Sequence, residues 1–188
     1  MTATDRQPPP PEQDPEADPE SVARAILLRQ LTLGPRTRLQ LERKLRDRNV
    51  PQGLAVALLD RFEEAGLVDD AEFARHWVLS RGPGKSLARS ALRRELGEKG
   101  IRGETAEAAL AELGQDAEEE AARRLLERRV RHVDPDDPAA RDRELRRLVG
   151  VLARKGHSPG SAFRLAAEVL EAATGQSTEH VADFSDED

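Results

Sequence analysis

A chain of 188 residues with 37% hydrophobic side chains, but only four Phe, one Trp and no Tyr, can build one ordinary domain or two small ones around an aliphatic interior. Without Cys, disulfides, thiolate metal sites and thiol nucleophiles are excluded, and no apolar run approaches a secretory signal or a membrane span, so a cytoplasmic protein is expected. The net charge of −6 is uneven: residues 21 to 103 carry 17 Lys and Arg against 10 Asp and Glu, while both flanks are acidic, a pattern that favours one face attracted to a polyanion or an acidic protein.

Residues 1–20 hold Pro and acids with few apolar side chains and read as a disordered tail. A first three-helix group follows over 21–68. Its helices are Ser21 to about Thr32, Thr37 to Arg48 opened by a Thr37/Gln40 capping box, and Pro51 to about Ala65. The second group, 69–114, starts at Asp69 or Asp70 with Glu72 at capping-box spacing and runs to Ser80; it continues from Ser86 to Lys99 and from about Gly103 to Leu113. The third, 115–173, starts at Asp116 with Glu119 three residues on, resumes near Ala139 and ends with a helix opened by Ser158-Pro159. Residues 174–188 read as a second disordered acidic tail, in which Phe184 among acids is a candidate docking point.

The three groups are copies of one unit. Leu45 to Val50, Leu96 to Ile101 and Leu152 to His157 each place a Leu three residues before a base, followed by Asn49, Gly100 or Gly156. A basic last turn and then Gly or Asn is a helix C-cap, because the cation complements the helix dipole and the next residue tolerates left-handed backbone. A period near fifty residues implies tandem units that stack, each covering the apolar face its neighbour leaves open. The fold class expected is all-α: three tandem three-helix, helix-turn-helix-like repeats in an elongated curved array.

Several motifs suggest chemistry and do not carry it. Gly82-Pro83-Gly84-Lys85-Ser86 resembles a phosphate loop, but Leu79 stands where its first Gly belongs and no strand precedes it, so it reads as a turn whose Ser86 caps the next helix. His76, His132, His157 and His180 have no metal-ligand spacing. The carboxylates lie at salt-bridge spacing to Arg, as in Glu119 with Arg123 and Glu120 with Arg124. Arg89 and Arg93 share a helical face beside Lys85 and form a candidate basic patch, while Glu95 falls within the apolar arc of the same helix and should be partly buried and paired. Phe73, Ala74 and Trp77 read as core, with Trp77 a weak base-stacking candidate. No nucleophile, general base, metal or cofactor site emerges, so a binding protein rather than an enzyme is expected.

The stretch Gly66-Leu67-Val68-Asp69-Asp70, then Phe73-Ala74, Trp77, Ser80-Arg81, Gly84, Leu92, Glu95-Leu96 and Lys99-Gly100-Ile101, resembles the central motif of the RecX family of RecA regulators, and Leu39, Leu41, Lys44 and Leu45 resemble the preceding helix. The resemblance spans about Ser21 to Leu170. It implies a non-enzymatic modulator that binds RecA and its filament on single-stranded DNA, and inhibits ATP hydrolysis, strand exchange and co-protease activity; the unbroken series of helix caps separately leads to the expectation of a helical monomer without cofactors. The candidate contact residues are Arg81, Lys85, Arg89, Arg93 and Lys99. Two other readings fit the helices: a helix-turn-helix-like DNA binder, and a helical-repeat adaptor with another client.

Overall fold

A computed structural model of the chain describes residues 18–182, leaving aside the side chains of Pro83, Gln115 and residues 176–182. Among the described residues there are nine helices and no strand. They divide between Val68 and Asp69 into two compact units, the first holding one three-helix repeat and the second holding two.

Repeat one consists of α1 (Pro19–Thr32), α2 (Arg38–Arg46) and α3 (Gln52–Glu64). Asp18 caps α1, and the Thr37/Gln40 capping box closes in both directions at 3.3 and 3.1 Å, satisfying donors that helix starts leave open. Ala23 and Leu27, then Leu41 and Leu45, then Ala55, Leu58, Leu59 and Phe62 turn inward at three- and four-residue spacing and form one buried cluster with Val68. On the rim, Arg38 bridges to Asp60 at 2.7 Å and to Glu63, and these hydrogen bonds, Asp60 first, raise its pKa further above the usual guanidinium value.

The second unit repeats the plan with α4 (Asp70–Lys85), α5 (Arg89–Glu98) and α6 (Gly103–Ala111), then α7 (Gln115–Glu127), α8 (Pro138–Ala153) and α9 (Pro159–Ala182). The apolar register is preserved. Leu41 and Leu45 become Leu92 and Leu96, then Leu148 and Leu152, and all six are fully buried. Each middle helix ends on the same left-handed residue, Asn49 at φ 59°, Gly100 at 91° and Gly156 at 86°. In each the following amide, Val50, Ile101 or His157, donates back to the Leu carbonyl at 3.1, 2.9 and 3.2 Å. The extra length of repeat three lies between α7 and α8, where Asp137 caps α8 by accepting from the Ala140 amide at 2.9 Å.

Several expectations are corrected. Helix α4 does not stop at Ser80 but runs to Lys85, and Gly82 in the added turn faces Leu113 so closely that a Cβ would come within 3.1 Å of that side chain. Ser86 therefore does not cap α5; it takes the left-handed position after α4 at φ 52°, with Leu87 N–H donating to the Gly82 carbonyl at 3.1 Å, and α5 begins only at Arg89. Gly114, not Asp116, precedes α7, and as a glycine it has no side chain to cap the helix; Glu119 pairs with Arg164 of α9 at 2.7 Å. Arg123 likewise reaches Glu168 at 3.0 Å and Glu120 at 3.4 Å rather than Glu119, while Glu120 pairs with Arg124 at 3.1 Å as expected. The boundary expected at residue 174 falls inside α9, where Thr174 is buried and its hydroxyl donates to the Leu170 carbonyl at 3.0 Å. Residues 1–17 and 183–188, with Phe184, lie outside the described residues. Within the second unit the stacking repeats do not merge one apolar core: repeats two and three keep separate clusters.

Candidate partner-binding surface

On α4, Phe73, Trp77 and Arg81 are each four residues apart and so lie along one side of the helix; Glu95 and Lys99 have the same relation at the end of α5. Packing α4 against α5 brings the two rows together. The Phe73 and Trp77 rings stack at 5.7 Å with 16° between planes. The indole N–H of Trp77 donates to Glu95 at 2.8 Å, and Arg81 donates to the other Glu95 oxygen at 3.4 Å. The Arg81 guanidinium sits 4.0 Å from the indole centroid and the Lys99 ammonium 3.9 Å from it. Glu95 thus occupies the apolar arc because it accepts from both the indole and the guanidinium, as its expected pairing required.

The cluster is only partly buried. Two cations over one indole are favourable because the ring face is electron-rich, and the Glu95 carboxylate offsets the charge of Arg81. The result is a half-buried aromatic pair with two cations held over the indole ring. The i, i+4 spacing of Phe73, Trp77 and Arg81 was visible in the sequence; the convergence of Arg81 and Lys99 on the same ring depends on how α4 crosses α5.

The other candidate cations divide. Lys85 is exposed at the last turn of α4. Arg93 makes a two-pronged bridge to Glu107 of α6 at 2.6 and 2.8 Å, which raises the pKa of Arg93 and lowers that of Glu107. Arg89 donates to the Leu113 carbonyl after α6 and lies 3.7 Å from Glu118 of α7. The open basic face expected at Arg89 and Arg93 is therefore occupied by contacts within the unit: these two side chains tie α5 to α6 and α7.

Sequence reasoning missed a polar seam between repeats two and three. The turn after α8 presses on the start of α5, with Ala88 N–H donating to the Lys155 carbonyl at 3.0 Å and the Ser90 hydroxyl to the Gly156 carbonyl. Ser86 donates to the Ala121 carbonyl of α7 at 3.0 Å. One ring nitrogen of buried His157 lies 3.3 Å from the Ser86 carbonyl and the other 3.7 Å from Glu118. Gly156 is required here, for a Cβ would come within 2.8 Å of both the Ala91 Cβ and the Ser90 hydroxyl. The sequence signal was His157 standing where Val50 and Ile101 place aliphatic residues.

Residues 69–110, which carry the aromatic and cationic cluster, match the family description of the RecX second three-helix domain. Proteins named Regulatory protein RecX resemble far more of the chain. That of Streptomyces coelicolor is 48% identical over 170 residues, 90% of this chain and 88% of its own, and that of Thermobifida fusca is 49% identical over 150 residues, 80% of each. The chain belongs to the RecX family. The crystal structure of RecX from Lactobacillus salivarius shares its fold, with a TM-score of 0.70 at 22% identity over 81% of this chain and 97% of that one; a second RecX crystal structure gives 0.69 at 24% identity. The all-α helical-repeat architecture is thus the RecX fold. Among the described residues no helix is long and apolar enough to cross a membrane, and no three His, Asp or Glu gather to hold a metal ion.

Proposed function

We propose that the chain is a non-catalytic regulator that binds RecA recombinase, above all the RecA filament on single-stranded DNA, and restrains its ATPase, strand-exchange and co-protease activities. It would act in the cytoplasm as a monomer without cofactor, in recombinational repair and the SOS response. The observation that carries this reading is the similarity to proteins named Regulatory protein RecX over nine-tenths of the chain.

Repeat two offers a compatible surface. Trp77, stacked on Phe73 and with Arg81 and Lys99 over its ring, combines an aromatic side chain with positive charge, the combination that anchors protein interfaces. An acidic protein surface suits it better than bare nucleic acid, because base stacking along a strand needs a row of aromatics and repeat two has one half-exposed pair. Arg81, Lys85 and Lys99 are the contact cations in this reading; Arg89 and Arg93 are paired with groups of the same unit.

The test is inhibition of the single-stranded-DNA-dependent ATPase of the cognate RecA. The unaltered chain inhibits, and Trp77→Ala raises the concentration needed for half-inhibition about tenfold, the loss expected of a single interface anchor. Unchanged ATPase at saturating concentrations of the unaltered chain would overturn the reading. Binding to single-stranded DNA that proceeds equally with or without RecA would favour a DNA-binding protein instead.

A further inference from the structure

Repeats one and two share an open groove at one register. In repeat one it lies between the end of α2 and the start of α3, with a volume of about 280 Å3 and a lining that includes Glu42, Arg46 and Val50. Fifty-one residues on, Arg93, Gly97 and Ile101 line the equivalent groove between α5 and α6, of about 470 Å3. The second groove is the larger, and Gly97 stands in it where Arg46 stands in the first. A Cβ on Gly97 would meet only the Arg102 Nε, at the ordinary contact distance of 3.8 Å, so a side chain there would lie against Arg102 without a clash.

Its floor is apolar, with Ile101 at 3% and Ala106 at 1% exposure. On its rim Arg93 and Glu107 neutralise each other, whereas Arg94 and Arg102 are exposed and make no ion pair among the described residues. We propose that this groove seats an acidic segment of a protein partner carrying one apolar anchor: the anchor enters over Gly97 onto Ile101 and Ala106, and carboxylates meet Arg94 and Arg102. Naming RecA as that partner rests on the reading above. A nucleic-acid strand fits less well, because no aromatic ring lines the groove to stack a base.

Two variants block the groove in different ways. Gly97→Phe fills it from a helical position with room for a side chain, and Arg94→Glu with Arg102→Glu reverses its unpaired charges at exposed positions. In the ATPase assay each should raise the half-inhibitory concentration at least about tenfold, while Arg146→Glu on the exposed face of α8 leaves it unchanged. Should Gly97→Phe fail to fold, as judged by circular dichroism, the double charge reversal decides. Either folded groove variant inhibiting as well as the unaltered chain overturns the proposal.

If the unaltered chain does not act on RecA at all, the regulator reading falls and the groove is judged by direct titration. The probe is a fluorescein-labelled peptide of four Glu, one Phe and four Glu, compared with its Phe→Ala form and with (dT)30. Tighter binding of the Phe peptide, lost in both variants, supports the groove. Equal binding of the two peptides, no binding of either, or loss of (dT)30 binding alone in the variants overturns it.

Discussion

Repeat one and repeat three end their middle helices with the same backbone turn, yet the turn does different work in each. In repeat one Asn49 takes the left-handed position with its side chain exposed, and Val50 closes back over the repeat's own core. In repeat three Gly156 takes it with no room for a side chain, and His157 faces the Ser86 carbonyl and the Glu118 carboxylate. The difference teaches that the local motif specifies how a helix stops and leaves open whether the stop is a surface loop or a joint. What decides is the neighbour: Ala91 and Ser90 of α5 press on Gly156, whereas Asn49 has open solvent.

The largest effects should come from the cores that the comparison treats as separate. Leu45→Ala and Leu152→Ala each remove a fully buried side chain and should cost about 2–5 kcal/mol. Hydrogen exchange should show lost protection over residues 18–68 for the first and over 69–182 for the second; uniform loss along the chain in both would mean the two units unfold together.

Next comes the joint itself. Gly156→Ala combines left-handed strain with a clash against Ala91 and should cost about 2–4 kcal/mol, while Asn49→Ala, with strain alone, should cost about 1. Equal losses in urea denaturation would show that the seam contributes nothing.

A smaller, pH-dependent effect is expected at Glu144, a buried carboxylate of α8. Arg147 donates to it at 2.7 Å and the Arg131 amide at 2.9 Å, and these hydrogen bonds, that of Arg147 first, hold its pKa below the ordinary carboxylate value. A depressed folded-state pKa gives stability that is present above the unfolded value and lost as pH falls through the folded one. Glu144→Gln should cost about 1.5–3 kcal/mol at neutral pH and flatten the acid limb of the stability curve. An unaltered acid limb would show that the carboxylate is not linked to folding.

The smallest effect is expected for Arg93→Ala. Its bridge to Glu107 is solvent-exposed on both sides, so the melting temperature should move within the scatter of replicate scans. A clear drop would restore Arg93 to a structural importance that its exposure denies it.

Much of the fold was legible because its signals are short-range. The capping box at Thr37 and Gln40, the Asp69 cap, the three C-cap turns and the Leu pairs four residues apart all involve residues that meet within one or two helical turns. Helix ends beside a distant partner were misread: Ser86 donates to the Ala121 carbonyl of α7, and the turn from Gly82 to Lys85 lies against Leu113. At the candidate surface, the sequence singled out Trp77 and the unusual place of Glu95. It also marked Arg89 and Arg93 as a free patch, since spacing along one helix cannot reveal Glu107 or the Leu113 carbonyl on the next.

By itself, then, the sequence determined the all-helical class, the threefold repetition and the residues that end each middle helix, because hydrophobic period and cap chemistry act between near neighbours. Only the tertiary structure decided which cations remain available to a partner, where a groove opens, and that Gly156 and His157 form a joint. Those outcomes depend on side chains brought together from different helices, and a distance across a helix crossing is not encoded in the spacing along either one.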